Sequence, residues 1–460
     1  MKDKSDFSQG KVWKNILDQA IPLTLAELVH LLYNVVDRIY IGHMPGVGSM
    51  ALTGIGLAFP ITTLVAAFTK MFSQGGSPIF AIARGARKEE RAEKILGQVF
   101  AALSFCAILL TVFGYIYRRP ILFLFGASED SYVYADEYLK IYLFGTLPSM
   151  LATGLNNFIN AQGYPRIGML TVVLGAALNL VLDPIFIYSL GMGVRGAALA
   201  TVISQCASAV WVMAFFYGKK SLYRIRLRNM MPDLSIYKDM FGLGITGFIM
   251  QGTNCLTQIL CNVTLRAWGG DIYVGVMTVL NSVREILSLP SQSITTGAQP
   301  VLSYNYGAGK FKRLREGIRF SALCATLYMV FAWLVVILFP GFFMGIFTDD
   351  PEMIATGIPA LKIYFFGFVL MAGQSAGQTT FTALKCPKRA IFFSLLRKVV
   401  IVAPLTLLLP QWGMGVDGVF AAEPISNVIG GIACFTTMWF TLYRKLPDRD
   451  YTEEEMMMVV

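Results

Sequence analysis

The chain has 460 residues, 55% of them hydrophobic and 14% charged, with a mean hydropathy of +0.59. Soluble domains are about 45–50% apolar and about 25% charged, so this composition excludes a soluble enzyme. The net charge of +10 then speaks to membrane orientation, and no nucleic-acid partner is expected.

The first 14 residues are polar and basic, and no small-residue cleavage site follows the first apolar run, which reads as a span rather than a leader. A bilayer-crossing helix needs about 20 mostly apolar residues, and lipid leaves open sheet edges unsatisfied. Spans are predicted at 14–42, 50–76, 95–117, 134–158, 167–190, 196–217, 238–266, 272–300, 317–345, 354–380, 390–411 and 416–443. The fold class expected is an all-α membrane protein of twelve transmembrane helices. Lys and Arg total 27 in the terminal segments and alternate loops on one side of these spans, against 4 (Arg118, Arg119, Arg195 and Arg266) on the other. Cytoplasmic loops collect these residues, which places both termini in the cytoplasm. The seven cysteines are odd in number and form no C-x-x-C pair, and only His30 and His43 represent histidine. No metal centre or disulfide framework is expected.

The chain repeats itself at a constant offset of 222. Pro78, Gly85, Ala86, Lys88 and Arg91 meet Pro300, Gly307, Ala308, Lys310 and Arg313. The run 139–142 meets 361–364, and 191–194 meets 413–416. Each copy holds six spans, so both enter the membrane from the same side, as a parallel tandem repeat does. The expected organisation is an N-lobe at 1–218, a basic cytoplasmic linker at 219–237, a C-lobe at 238–446 and a cytoplasmic tail at 447–460.

Three G-x-G-x-x-G matches begin at Gly191, Gly242 and Gly413. None follows a strand, so they carry no nucleotide-binding argument, and no covalent catalytic set is visible. Ionisable residues within spans are the stronger signal, being expensive there. Glu27, His30, Asn34 and Asp37 share one face of the first span. Asn179 and Asp183 stand one turn apart on the fifth. Gln251, Asn254, Gln258 and Asn262 mark the seventh, and Asn281, Glu285, Ser288, Gln292, Thr295 and Gln299 mark the eighth. Glu27, His30, Asn34, Gln251, Asn254, Gln258, Asn281, Glu285 and Gln292 are candidates for a substrate or proton path, and Glu423 before Pro424 is a further intramembrane carboxyl. Such stripes either line a wet cavity or bond neighbouring helices.

The motif Tyr33–Gly42 resembles the first-helix signature of MATE (multidrug and toxic compound extrusion) transporters. Asn179–Pro184 resembles their fifth-helix motif, and the stretches 297–300 and 304–308 the end of their eighth helix. The resemblance implies a V-shaped pair of six-helix lobes that exports amphiphilic, cationic compounds in exchange for H⁺ or Na⁺, with no other cofactor. It implies a cation-coupling set of Asp37, Asp183, Asn179 and Thr201, with Tyr138 beside it, and Asp37 and Asp183 as Na⁺ ligands if the ion is Na⁺. Because the tandem repeat already supplies a pseudo-dimer, a protein that works as a monomer among membrane lipids is expected. The seventh span lacks the carboxylate that some members carry, which turns attention to the N-lobe. A flippase for lipid-linked precursors, from the same superfamily, is the alternative.

Overall fold

The structure, a computed structural model, describes residues 6–44, 48–125, 127–348, 350–452 and 455. Lys2, Lys4 and most of the end of the predicted tail lie outside them. Among the described residues the secondary structure is helical, with no strand. In chain order the helices are α1 (Val12–Gly42), α2 (Gly48–Gly85), α3 (Glu89–Leu124), α4 (Glu129–Tyr142), α5 (Thr146–Ala161), α6 (Pro165–Pro184), α7 (Val194–Tyr217) and α8 (Leu234–Gly269). They continue as α9 (Asp271–Gly307), α10 (Phe311–Leu338), α11 (Pro340–Gly345), α12 (Pro351–Tyr364), α13 (Met371–Ala383), α14 (Pro387–Leu395), α15 (Ala403–Leu409) and α16 (Gly415–Thr441).

Among the described residues, eight helical segments are long and apolar enough to cross a membrane, and the pair α12–α13, bent by 48°, makes a ninth. One of the eight is the 59-residue run Pro387–Lys445. At about 1.5 Å per residue such a run is far longer than a bilayer of about 30 Å. It breaks at Gly413 and Gly415, whose φ angles are 94° and 56°, and so supplies two spans. The α4–α5 pair and the polar α8 complete twelve. Phe339 interrupts the span predicted at 317–345, with φ −125° and ψ 49°. Pro340 forces that break, because the residue before proline is pushed out of the helical region.

Two compact units divide the chain. The first comprises residues 1–6 and 22–244; the second comprises 7–21 and 245–460. In the first, α2 packs on α3, α4 and α5, and α7 on α4, α5 and α6. In the second, α9 packs on α10, α12 and α13, and α16 on α12, α13 and α15. These are the same neighbours at an offset of 222. The backbone repeats as well. Among the described residues, left-handed φ angles occur at Arg87 and Gly309, at Gly163 and Lys385, at Gly191 and Gly413, and at Gly193 and Gly415. Each pair is one position of the repeat.

The units also exchange their first turns. The start of α8 belongs to the first unit and crosses α2 at a glycine contact. A Cβ on Gly75 would stand 2.1 Å from the Met240 carbonyl oxygen, and one on Gly244 would stand 1.8 Å from that of Met71. The start of α1 belongs to the second unit and crosses α9 in the corresponding way, where a Cβ on Gly297 would meet the Ala20 nitrogen at 2.9 Å. Val12 and Ile16 there pack into a core with Ala298, Leu302, Ile318 and Phe381. The switch points, Pro22 and Gly244, are themselves repeat equivalents.

Candidate functional site

The first unit gathers its polar side chains where α1, α6 and α7 meet. Asn179 and Asp183 point inward from the last turns of α6, each 1% exposed. Beyond Pro184 the helix widens into a π-helical turn, Ile185–Ser189, a feature that recurs at functional sites. Gly193, at φ 55°, then starts α7 and brings Thr201 opposite. The Asn179 amide donates to Asp183 Oδ1 at 3.2 Å and to Thr201 Oγ1 at 3.4 Å. The Thr201 hydroxyl donates to the Ala197 carbonyl at 3.0 Å.

From α1 the Asp37 carboxyl comes within hydrogen-bond reach of Asp183. Tyr33 and Tyr138 border both carboxyls, and Tyr138 stacks on Tyr142 at 5.7 Å. Asp37 Oδ1 and Asn179 Oδ1 are buried without a hydrogen-bond partner. Two carboxyls in contact repel unless a cation lies between them. The orphaned oxygens are the hard donors that a proton or Na⁺ takes, so the residues fit either ion.

The other sequence candidates sit elsewhere. Glu27 and His30 are exposed on α1, and Asn34 donates to the His30 carbonyl of its own helix at 2.7 Å. In the second unit, Asn254 and Gln258 are exposed and Gln251 half-buried on α8. Asn281 accepts the Tyr364 hydroxyl at 2.8 Å, Glu285 is exposed, and Gln292 donates to Ser288 at 2.8 Å.

Glu423 is the centre of a second cluster. Its Oε1 accepts from Arg284 at 3.1 Å, Arg397 at 2.8 Å and Lys398 at 2.8 Å, and its Oε2 from Lys398 at 3.0 Å. Sequence reasoning missed Arg397 and Lys398. The available signal was two adjacent cations in the middle of the apolar run 390–411. Side chains adjacent on an ordinary helix diverge; here both lie in a π-helical turn, Leu396–Val402, and both reach one carboxylate.

Among the described residues, twelve spans in two repeats of six, with a buried acidic pair inside the first unit, mark a multi-pass membrane transporter rather than an enzyme. The MatE family model matches residues 22–185 and 248–408, and the chain belongs to that family. It is similar to the multidrug export protein MepA of Staphylococcus haemolyticus, 23% identical over 395 residues, covering 82% of this chain and 86% of that one. MepA of Staphylococcus aureus is 23% identical over 406 residues, with 84% and 88% covered. Among solved structures, a MATE protein in complex with MaL6 matches with a TM-score of 0.90 at 23% identity, over 97% of this chain and 100% of that one. An outward-facing multidrug resistance MATE transporter matches with a TM-score of 0.89 at 23% identity, over 96% and 98%. These likenesses establish the fold.

Proposed function

We propose that the protein is a cation-coupled antiporter of the cell membrane that exports amphiphilic small molecules by alternating access. The observation that carries this reading is the Asp37–Asp183 carboxyl pair, together with the buried, unpartnered oxygens of Asp37 and Asn179. A carboxylate buried at membrane depth costs about 2.5–3.5 kcal/mol. An entering H⁺ or Na⁺ removes most of that cost and joins α1 to α6. Asn179 and Thr201 orient the pair, and Tyr138 closes its side.

Coupling requires the ion and the substrate to prefer opposite states. Moving a two-state protein from 1:99 to 99:1 takes about 5.5 kcal/mol of differential affinity, so a substantial part of the driving ion's binding energy must differ between states. The MepA relatives are named multidrug export proteins, which supports small-molecule export here. The basic loops support cytoplasmic termini, and the tandem repeat supports a working monomer.

Proteoliposomes test the reading. The protein is reconstituted with ethidium inside and given either a pH or a Na⁺ gradient. Gradient-driven efflux that Asp37→Asn abolishes is the expected result, and the effective gradient names the ion. Efflux that ignores both gradients, or full activity in the variant, sinks the antiport mechanism. Movement of phospholipid without ethidium would instead favour a flippase.

A further inference from the structure

The two units carry polar clusters of opposite sign at matching places in the fold. At the offset of 222, Glu423 stands where Thr201 stands, and Arg397 and Lys398 stand where Gly175 and Ala176 precede Asn179. The first cluster holds two carboxyls. The second holds three cations against one carboxylate, on α9, the Leu396–Val402 turn and α16.

That carboxylate is saturated. Oε1 takes three donors, and Lys398 bridges to Oε2. Buried charges are normally paired, yet here two positive charges remain beyond Glu423. Among the described residues, the other direct contacts are neutral: Arg397 Nη1 donates to Gln374 at 3.0 Å, and Arg284 lies 5.8 Å over the Tyr364 ring. Glu285, next to Arg284 in sequence, attracts it only from an exposed position, where solvent screens the charge. Arg397 Nε is buried with no partner. The Arg397, Lys398 and Glu423 side chains are 12%, 8% and 9% exposed, whereas Arg284 is 26% exposed. Arg284 is thus the open edge of a closed cluster, and a guanidinium presents a planar fork that fits an oxyanion.

We propose that Arg284, with Arg397 and Lys398 behind it, binds the oxyanion head of an amphiphile, a carboxylate or phosphate. The proposal deepens the export reading and rests on it for the ligand's role as cargo: the exported class then includes anionic and zwitterionic amphiphiles, not cations alone. Glu423 holds the three cations together in the absence of ligand, and the ligand supplies the missing negative charge.

The test is binding by calorimetry to the full chain in phosphatidylcholine nanodiscs, with no ion gradient. The probes are octyl phosphate, octanoate and octyltrimethylammonium. Octyl phosphate and octanoate are expected to bind saturably at one site, with the cationic probe failing to compete. Arg284→Gln is expected to weaken them at least tenfold, because Lys398 and Arg397 still hold Glu423 and the fold. Lys398→Met gives the same reading if Arg284→Gln does not fold. Displacement by inorganic phosphate assigns the site to the anion itself; displacement only in phosphatidylglycerol discs assigns it to a lipid head. Equal binding of anionic and cationic probes, or unchanged affinity in both variants, overturns the proposal. Because no gradient is used, failed export with intact binding would sink the antiport reading and leave the anion site standing.

Discussion

Asp37 on α1 and Asp183 on α6 bring their carboxyls within hydrogen-bond reach of each other, and the Asn179 amide holds Asp183 at 3.2 Å. The pair joins a helix from the start of the first repeat to one near its end. Replacing either aspartate by asparagine keeps the volume and removes the charge. Gradient-driven efflux in proteoliposomes is expected to fall at least tenfold in Asp37→Asn and in Asp183→Asn. Asn179→Ala removes neutral hydrogen bonds worth about 0.5–1.5 kcal/mol each. Its loss of efflux should therefore be smaller, roughly two- to tenfold. Efflux unaffected by either aspartate change would remove the pair from the mechanism.

The α2–α8 crossing predicts a steric defect. The nearest backbone atoms to a Cβ at Gly75 or Gly244 are carbonyl oxygens at 2.1 and 1.8 Å, and backbone yields little. Gly75→Ala and Gly244→Ala should each destabilise by about 1–3 kcal/mol through overpacking. Gly56, with nothing within 4 Å, serves as the control: alanine there should be neutral or slightly stabilising. Thermal unfolding in detergent, followed by tryptophan fluorescence, gives the ranking.

The repeat supplies its own substitution experiment. Lys385 adopts φ 56° where its counterpart is Gly163, and Arg87 adopts φ 55° where its counterpart is Gly309. A non-glycine residue in the left-handed region bears about 1–2 kcal/mol of strain. Lys385→Gly should raise the unfolding midpoint by up to a few degrees, since glycine's extra unfolded-state freedom offsets part of the relief. A clear fall in the midpoint would mean that the Lys385 side chain contributes more than its backbone strain takes away.

Removing the hub of the second cluster should be far worse than removing a spoke. Glu423→Gln leaves three cations without a counter-ion, and breaking such a buried set costs about 3–5 kcal/mol. Adding Lys398→Met should recover part of that loss, so the double variant unfolds above Glu423→Gln alone. Strict additivity of the two changes in midpoint would show that the residues do not share one network.

Much of this was legible in the sequence because it is local or periodic. The offset of 222 survives in single residues such as Gly191 and Gly413, whose left-handed backbone favours glycine in both copies. Asn179 and Asp183 could be placed together because one helical turn separates them. Glu423 and Lys398 are 25 positions apart and meet only through the α16–Leu396 packing. Arg397 and Lys398 were hidden for a second reason: their neighbours are apolar enough that the run still reads as a membrane span with two charges in it. The pairing of Arg284 with Glu423 rather than with the adjacent Glu285 is likewise a product of tertiary structure, since successive helical side chains diverge.

The switch points at Pro22 and Gly244 have a consequence for how the chain is made. The stretch from Phe7 to Ile16 finds its partners in Ala298, Leu302, Phe311 and Phe381, so it waits through most of synthesis before it can dock. The first unit, in turn, is complete only once the opening turns of α8 have emerged. Neither half of the gene encodes a finished body. Splitting the chain between residues 219 and 233, ahead of α8, would yield two fragments, each missing a strut that the other one carries, and both would have to be translated together to mature.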